Sequence, residues 1–142
     1  MKFLYYFLIL LVSQFAVSQV GINTLLPQST LDVNGNLSIK VVNLLGGASG
    51  SATPINDGIY ISVTPTGGNQ EFLLPNATLF PGRTYIIRNV SNSVNAQIYS
   101  IGGSFFSKDS NTATPSPLVM NSNSITKTLF IISDGFNWTY FF

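Results

Sequence analysis

The 142-residue sequence predicts an all-β fold, a single antiparallel β-sandwich or jelly-roll-like domain, on three observations. Beyond Ser18 the chain is dominated by β-branched, aromatic, Gly, Asn and Pro residues, types that helices disfavour and that strands and turns use. Apolar positions recur at a period of two, as in "GIYISV" and "AQIYSI", which puts alternate side chains on one face of a strand. Short runs of this kind are separated by clusters of Gly, Pro, Asn and Asp, the spacing of a sandwich or barrel. A chain of this length holds one domain with a real core.

The elements follow in order. Met1-Lys2 supplies a short positive start, "FLYYFLILLV" from Phe3 to Val12 an uninterrupted apolar stretch, and Ala16 and Ser18 the small side chains a signal peptidase accommodates. That layout predicts a secretory signal peptide over residues 1–18, cleaved between Ser18 and Gln19. The apolar run is shorter than the roughly 18 to 20 residues of a spanning helix. Residues 19–45 read as a connector with a β-hairpin, because Leu31 and Val33 alternate before Asn34-Gly35 and Leu37, Ile39 and Val41 alternate after it; Asn-Gly favours a tight turn with positive φ. Residues 46–56, "GGASGSATPIN", read as a Gly/Ser/Ala loop.

Residues 57–142 form the β-rich body, with strands in "GIYISV", "QEFLL", "RTYIIRNV", "AQIYSI", "SITKTLFIIS" and "NWTYFF" and a polar excursion at "SKDSNTATPSP". Two runs, Tyr85 to Ile87 and Leu129 to Ile132, are apolar on both faces. A strand of that kind needs cover on both faces, the second cover being another sheet layer or a neighbouring subunit. "TYIIRNVSN" weakly echoes "TLFIISDGFN", over too short a span to be a repeat.

Catalytic chemistry has little to work with. There is no histidine and no cysteine, which removes the commonest general base and the commonest metal ligands. The carboxylates Asp32, Asp57, Glu71, Asp109 and Asp134 are scattered, and three of them open the turn sequences "DVNG", "DGI" and "DGF". "DVNGNLSIK" places oxygen-bearing side chains at Asp32, Asn34 and Asn36, but its glycine comes too early for a calcium loop. The expectation is a non-enzyme with no catalytic residue, cofactor or metal site. Charged residues are only 8% and the net charge is +1, so phosphate neutralisation cannot drive nucleic-acid binding. Solubility falls to Ser, Thr, Asn and Gln, as on exported surfaces. Asn36, Asn76, Asn89 and Asn137 head N-x-S/T triplets, and chance supplies several of these in so Asn- and Ser-rich a chain. Trp138 and Tyr140, two apart on one strand face, are either core or interface aromatics or a platform for sugar stacking.

"VGINTLLPQSTLDVNG" resembles the connector of exported Bacteroidetes proteins and phage tail fibres, Val-Gly-Ile-Gly/Asn-Thr-x-x-Pro followed by Leu-Asp-Val-x-Gly. Here the positions are Val20, Gly21, Ile22, Asn23, Thr24, Pro27, Leu31, Asp32, Val33 and Gly35. "LPNATLFPGRTYIIRNVSNS" and "SDGFNW" are similar to fibre-like β domains, on Leu74, Pro75, Gly82, Thr84, Tyr85, Ile87, Ser133, Asp134, Gly135, Asn137 and Trp138. The resemblance implies a surface module that associates with itself, as a trimer or fibre.

These readings combine into one expectation: a secreted or cell-surface structural or adhesive protein that self-associates through strand faces, with Leu129, Phe130, Ile131 and Ile132 as the candidate interface. A cell-surface glycan or matrix is a further candidate partner. Two alternatives stand beside this reading. One is a carbohydrate-binding module using surface aromatics such as Trp138 and Tyr140; the other is a small outer-membrane β-barrel, suggested by the aromatic ending "NWTYFF".

Overall fold

The computed structural model describes residues 20–25 and 30–142. The predicted signal segment, with its cleavage point at Ser18 and Gln19, lies outside the described residues. The chain divides into two units, Met1–Ser38 and Ile39–Phe142.

In the first unit, β1 (Val20–Ile22) pairs parallel with β2 (Leu31–Val33), Val20 facing Leu31 and Ile22 facing Val33. The Val20 amide donates to the Thr30 carbonyl at 2.8 Å and the Asn34 amide to the Ile22 carbonyl at 3.0 Å, closing the ladder at both ends. The expected hairpin is therefore corrected. Leu31–Val33 finds its partner upstream, and residues 36–40 after Asn34-Gly35 form no strand. An Asn-Gly pair permits a tight turn but does not oblige the next residues to return along the same strand. Asn23 sits at φ 58, the left-handed region that glycine and asparagine tolerate best, and its Nδ2 donates to the Asn34 carbonyl at 3.0 Å.

The second unit carries β3 (Val41–Leu45), β4 (Gly47–Ala48), β5 (Thr53–Pro54), β6 (Tyr60–Thr64), β7 (Asn69–Asn76), β8 (Thr84–Asn89), β9 (Ala96–Gly102), β10 (Phe105–Ser107), β11 (Ala113–Thr114), β12 (Leu118–Met120), β13 (Thr128–Ser133) and β14 (Trp138–Phe141). They form a seven-stranded sheet in the order β11-β10-β14-β13-β8-β6-β3 and a five-stranded sheet in which β12, β9 and β7 lie side by side and β4 and β5 share the far edge of β7. Single 3₁₀ turns at Ala77–Leu79 and Ile125–Lys127 interrupt the strands.

The two sheets are mixed rather than antiparallel, and the reason lies in how the chain winds. From β5 to β9 successive strands alternate between the sheets, so β6 and β8 meet parallel in one and β7 and β9 meet parallel in the other. Tyr60 lies opposite Val41 on one side and Ile86 on the other, while Phe72 lies opposite Thr53 and Ile98. Each circuit thus adds one strand to each layer. The hairpin β13–β14 then extends the larger sheet antiparallel, with β10 parallel to β14 and β11 antiparallel at the edge, and β12 closes the smaller antiparallel. The echo between residues 84–92 and 128–137 acquires a physical meaning here, since β8 and β13 are antiparallel neighbours.

Ile61, Val63, Tyr85, Ile87, Leu129, Ile131 and Trp138 from the larger sheet meet Phe72, Leu74, Ala96, Ile98, Leu118 and Met120 from the smaller in one buried layer. This is the β-sandwich expected from the alternation. Among the described residues both sheets are open, with free edge strands, and the longest strand has eight residues, short of the roughly 9–11 of a membrane barrel. The outer-membrane barrel reading is set aside on that geometry.

The boundary between connector and body also moves. β3, β4 and β5 all pair with body strands, so residues 39–56 belong to the sandwich rather than to a connector and loop. The glycine pair in "GGASGS" is needed for this. A Cβ on Gly46 would stand 2.2 Å from the Asn69 carbonyl oxygen and one on Gly47 2.0 Å from that of Ser51, closer than any side chain permits.

Asn89 heads one of the N-x-S/T triplets but is fully buried. Its Nδ2 donates to the carbonyls of Val94 at 3.0 Å and Met120 at 3.2 Å, and its Oδ1 accepts from the Ser91 amide at 3.0 Å. Replacement by Leu leaves those backbone groups unpaired, at about 1–3 kcal/mol. Urea denaturation of Asn89→Leu is expected to show that loss, with an unchanged far-ultraviolet spectrum before the transition.

Candidate functional site

Strand alternation sorts the larger sheet into an inner and an outer face, and the outer face is where the candidate interface residues divide. Leu129 and Ile131 point into the core and are fully buried; Phe130 and Ile132 point outward and are partly covered by their neighbours. The four-residue candidate interface is thus two core residues and two surface residues. The same split runs through β8, with Tyr85 and Ile87 inside and Ile86 outside. The inner cover is the second sheet, as one of the two expectations had it; among the described residues of this unit no further strand layer lies over the outer side.

Register aligns the outward residues into rows. Val41, Tyr60, Ile86, Phe130 and Phe141 lie side by side across five strands, a span of roughly 20 Å at ordinary strand spacing. Phe130 and Phe141 stack with centroids 4.7 Å apart and planes at 22°. On one side runs the row Asn43, Ser62, Arg88 and Thr128, and on the other Thr84, Ile132, Thr139 and Phe106. Arg88 is the one charged side chain among the described outward-facing strand residues of the larger sheet. The face is therefore apolar along its middle and polar but uncharged along most of its margins, a composition suited to burial against a protein surface.

Trp138 and Tyr140 do not form a surface platform. Trp138 is 0% exposed and Tyr140 8%; both point inward from β14, with the Trp138 ring 6.0 Å from that of Tyr85 and its Nε1 donating to Ser100 Oγ at 3.0 Å. The carbohydrate-binding reading loses its aromatics. Edge alternation alone put these two residues on one face, and only the second sheet decides that this face is the inner one.

Asp134, Asp57 and Glu71 serve structure. Asp134 Oδ1 accepts from the amides of Phe136 and Asn137 at 2.7 and 2.6 Å and holds the β13–β14 turn. Asp57 lines a surface cleft of about 640 Å³ with Lys40, Ile59, Pro81, Arg83 and Thr84. There it is hydrogen-bonded and ion-paired with Lys40 and accepts from the Gly58 amide at 2.7 Å. The Lys40 hydrogen bond, then that of Gly58, holds the Asp57 carboxyl below the usual carboxylate range, the opposite of what a general acid near neutrality needs. Among the described residues no group of three or more His, Cys, Asp or Glu is placed to hold a metal ion.

Glu71 accepts from the Gly50 amide at 3.0 Å and faces the Tyr99 hydroxyl at 3.5 Å on the outer side of the smaller sheet. Burial first, then the charge of Glu71, raises the Tyr99 phenol above its ordinary range. The folded chain holds that proton longer than the unfolded chain does. Its contribution to stability is complete below the ordinary tyrosine range and is lost as pH rises toward the folded-state value. In alkaline denaturation the wild-type chain is expected to lose stability with pH more steeply than Tyr99→Phe; equal slopes would remove this account.

No protein-family model, no curated protein and no solved structure matches this chain.

Proposed function

We propose that this chain is an exported, non-catalytic structural or adhesive protein that associates with itself through the outer face of its seven-stranded sheet. The observation that carries this reading is the row Val41, Tyr60, Ile86, Phe130 and Phe141, apolar and five strands wide, which the sandwich itself leaves without a covering layer. Export rests on the signal-like residues 1–18 and on a polar surface made from uncharged side chains. The carboxylates support the non-catalytic part, since those with described partners are engaged in turns, a backbone cap or an ion pair.

The test is the mass of the protein recovered from outside its producing cells, measured by sedimentation equilibrium without detergent. An assembly larger than the monomer, with a mature chain that starts at Gln19, is expected. A compact monomer at the highest attainable concentration would end the self-association reading, and a chain that retains Met1 would end the export reading.

A further inference from the structure

The sandwich has four strand edges, and they are not alike. β11 is two residues long and runs directly into Pro115; β12 is three residues long and follows Pro117; β4 and β5 are two residues each, with a register break at Gly47/Ala48 and Pro54 within β5. Short length, proline and irregularity are the devices by which proteins prevent edges from pairing with another chain. β3, Val41–Leu45, has none of them: five residues in unbroken register with β6 and no charge or proline.

Its free groups can be assigned. The Lys40 carbonyl accepts from the Tyr60 amide at 3.2 Å and the Gly46 amide donates to the Thr64 carbonyl at 3.2 Å, so the even-numbered residues turn their backbone groups toward β6. In a parallel ladder the alternate residues point the other way, which leaves the N–H and C=O of Val41, Asn43 and Leu45 on the open edge. Among the described residues none pairs there. The side chains of the same three residues stand on the outer face, with Val41 59% and Leu45 72% exposed.

We propose that β3 is a pairing edge that takes a second copy of itself, antiparallel and in register about Asn43, joining two seven-stranded sheets into one. The strand is self-complementary in this register. Val41 stands opposite Leu45 of the second copy, Asn43 opposite Asn43, and the backbone groups left free are those an antiparallel pair exchanges, forming about six hydrogen bonds. Exposed Val41 packs on exposed Leu45, and the two Asn43 amides meet each other on the two-fold axis. On the inner side Val42 falls beside Leu44 of the second copy, completing the cover of two side chains that their own sandwich leaves partly buried. Charge agrees: Lys40 lies opposite Gly46 of the second copy, its own Asp57 already neutralises it, and the two lysines sit at opposite ends.

This edge is a different surface from the outer face, although Val41 ends the apolar row at the edge and pairing continues that row into the second copy. Used together, two separate self-complementary surfaces extend an assembly beyond a closed dimer unless their axes intersect.

The test is amide hydrogen exchange on the assembled protein and on Phe130→Asp, which blocks the face and leaves the edge. The Val41, Asn43 and Leu45 amides are expected to be protected at high concentration and to lose protection on dilution. Phe130→Asp is expected to sediment as a dimer and Phe130→Asp/Asn43→Pro as a monomer, proline at 43 removing only an outward N–H. Val41→Lys/Leu45→Lys in the Phe130→Asp background gives the same reading without touching the backbone. Free exchange at Val41, Asn43 and Leu45 at every concentration, or a dimer that survives both sets of edge substitutions in folded protein, overturns the proposal. A monomeric Phe130→Asp chain whose edge amides are unprotected at high concentration overturns it too, while leaving the face reading intact; a wild-type dimer that Phe130→Asp does not alter but the edge substitutions dissolve supports the edge and removes the face.

Discussion

Ile131→Asp is expected to unfold the sandwich, whereas Phe130→Asp, one residue away, is expected to leave it folded and reduce its assembly. Ile131 is fully buried between the sheets, within the hydrophobic core. An unpaired charge there costs several kcal/mol, on the order of the whole stability of a small domain. Phe130 is on the opposite face of the same strand, stacked on Phe141, and a carboxylate at that position reaches solvent in the isolated chain. In an assembly that buries the face it is left without water or a partner, and truncating such contacts commonly costs 2 kcal/mol or more, about a 30-fold or larger loss of affinity. Circular dichroism reads the first effect and sedimentation equilibrium the second. Ile132→Asp is expected to behave as Phe130→Asp does, because the two share a face. A Phe130→Asp chain that is folded and assembles as tightly as wild type would show that the outer face is not the contact.

Trp138→Ala is expected to lose about 3–5 kcal/mol, the usual cost of a large cavity, and to lower the Tm by about 10–20 °C. Its ring fills the space between β14 and the smaller sheet, and its Nε1 reaches across to Ser100 Oγ. Trp138→Phe fills most of that space and is expected to lose far less, since Ser100 Oγ keeps the Gly102 carbonyl as a partner at 2.7 Å. Calorimetry of the two variants separates volume from hydrogen bond. A Trp138→Ala chain as stable as wild type would put the indole back on the surface and revive a sugar-stacking role.

Local chemistry was legible throughout. Alternation in "IYISV" and the short β-branched, apolar runs "TYIIRN" and "TLFIIS" are signals of a single strand, and β6, β8 and β13 formed where they predicted. The turn carboxylate of "SDGFNW" is likewise local, because Asp134 reaches amides only two and three residues away. "DVNG" shows the limit: the signal for a turn was present, but β2 paired with β1 instead of with the residues that follow.

What the sequence by itself determined is which residues share a strand face, that two runs are apolar on both faces, and that histidine and cysteine chemistry is absent. Only the tertiary structure decided which face is inner, because period two distinguishes odd positions from even and carries no sign: Trp138 and Tyr140 went in, Phe130 and Ile132 out. It also decided that the sheets are mixed and that Val41–Leu45 is the unguarded edge. Strand neighbours in a wound sandwich lie a whole circuit of chain apart, and no local pattern records who they are.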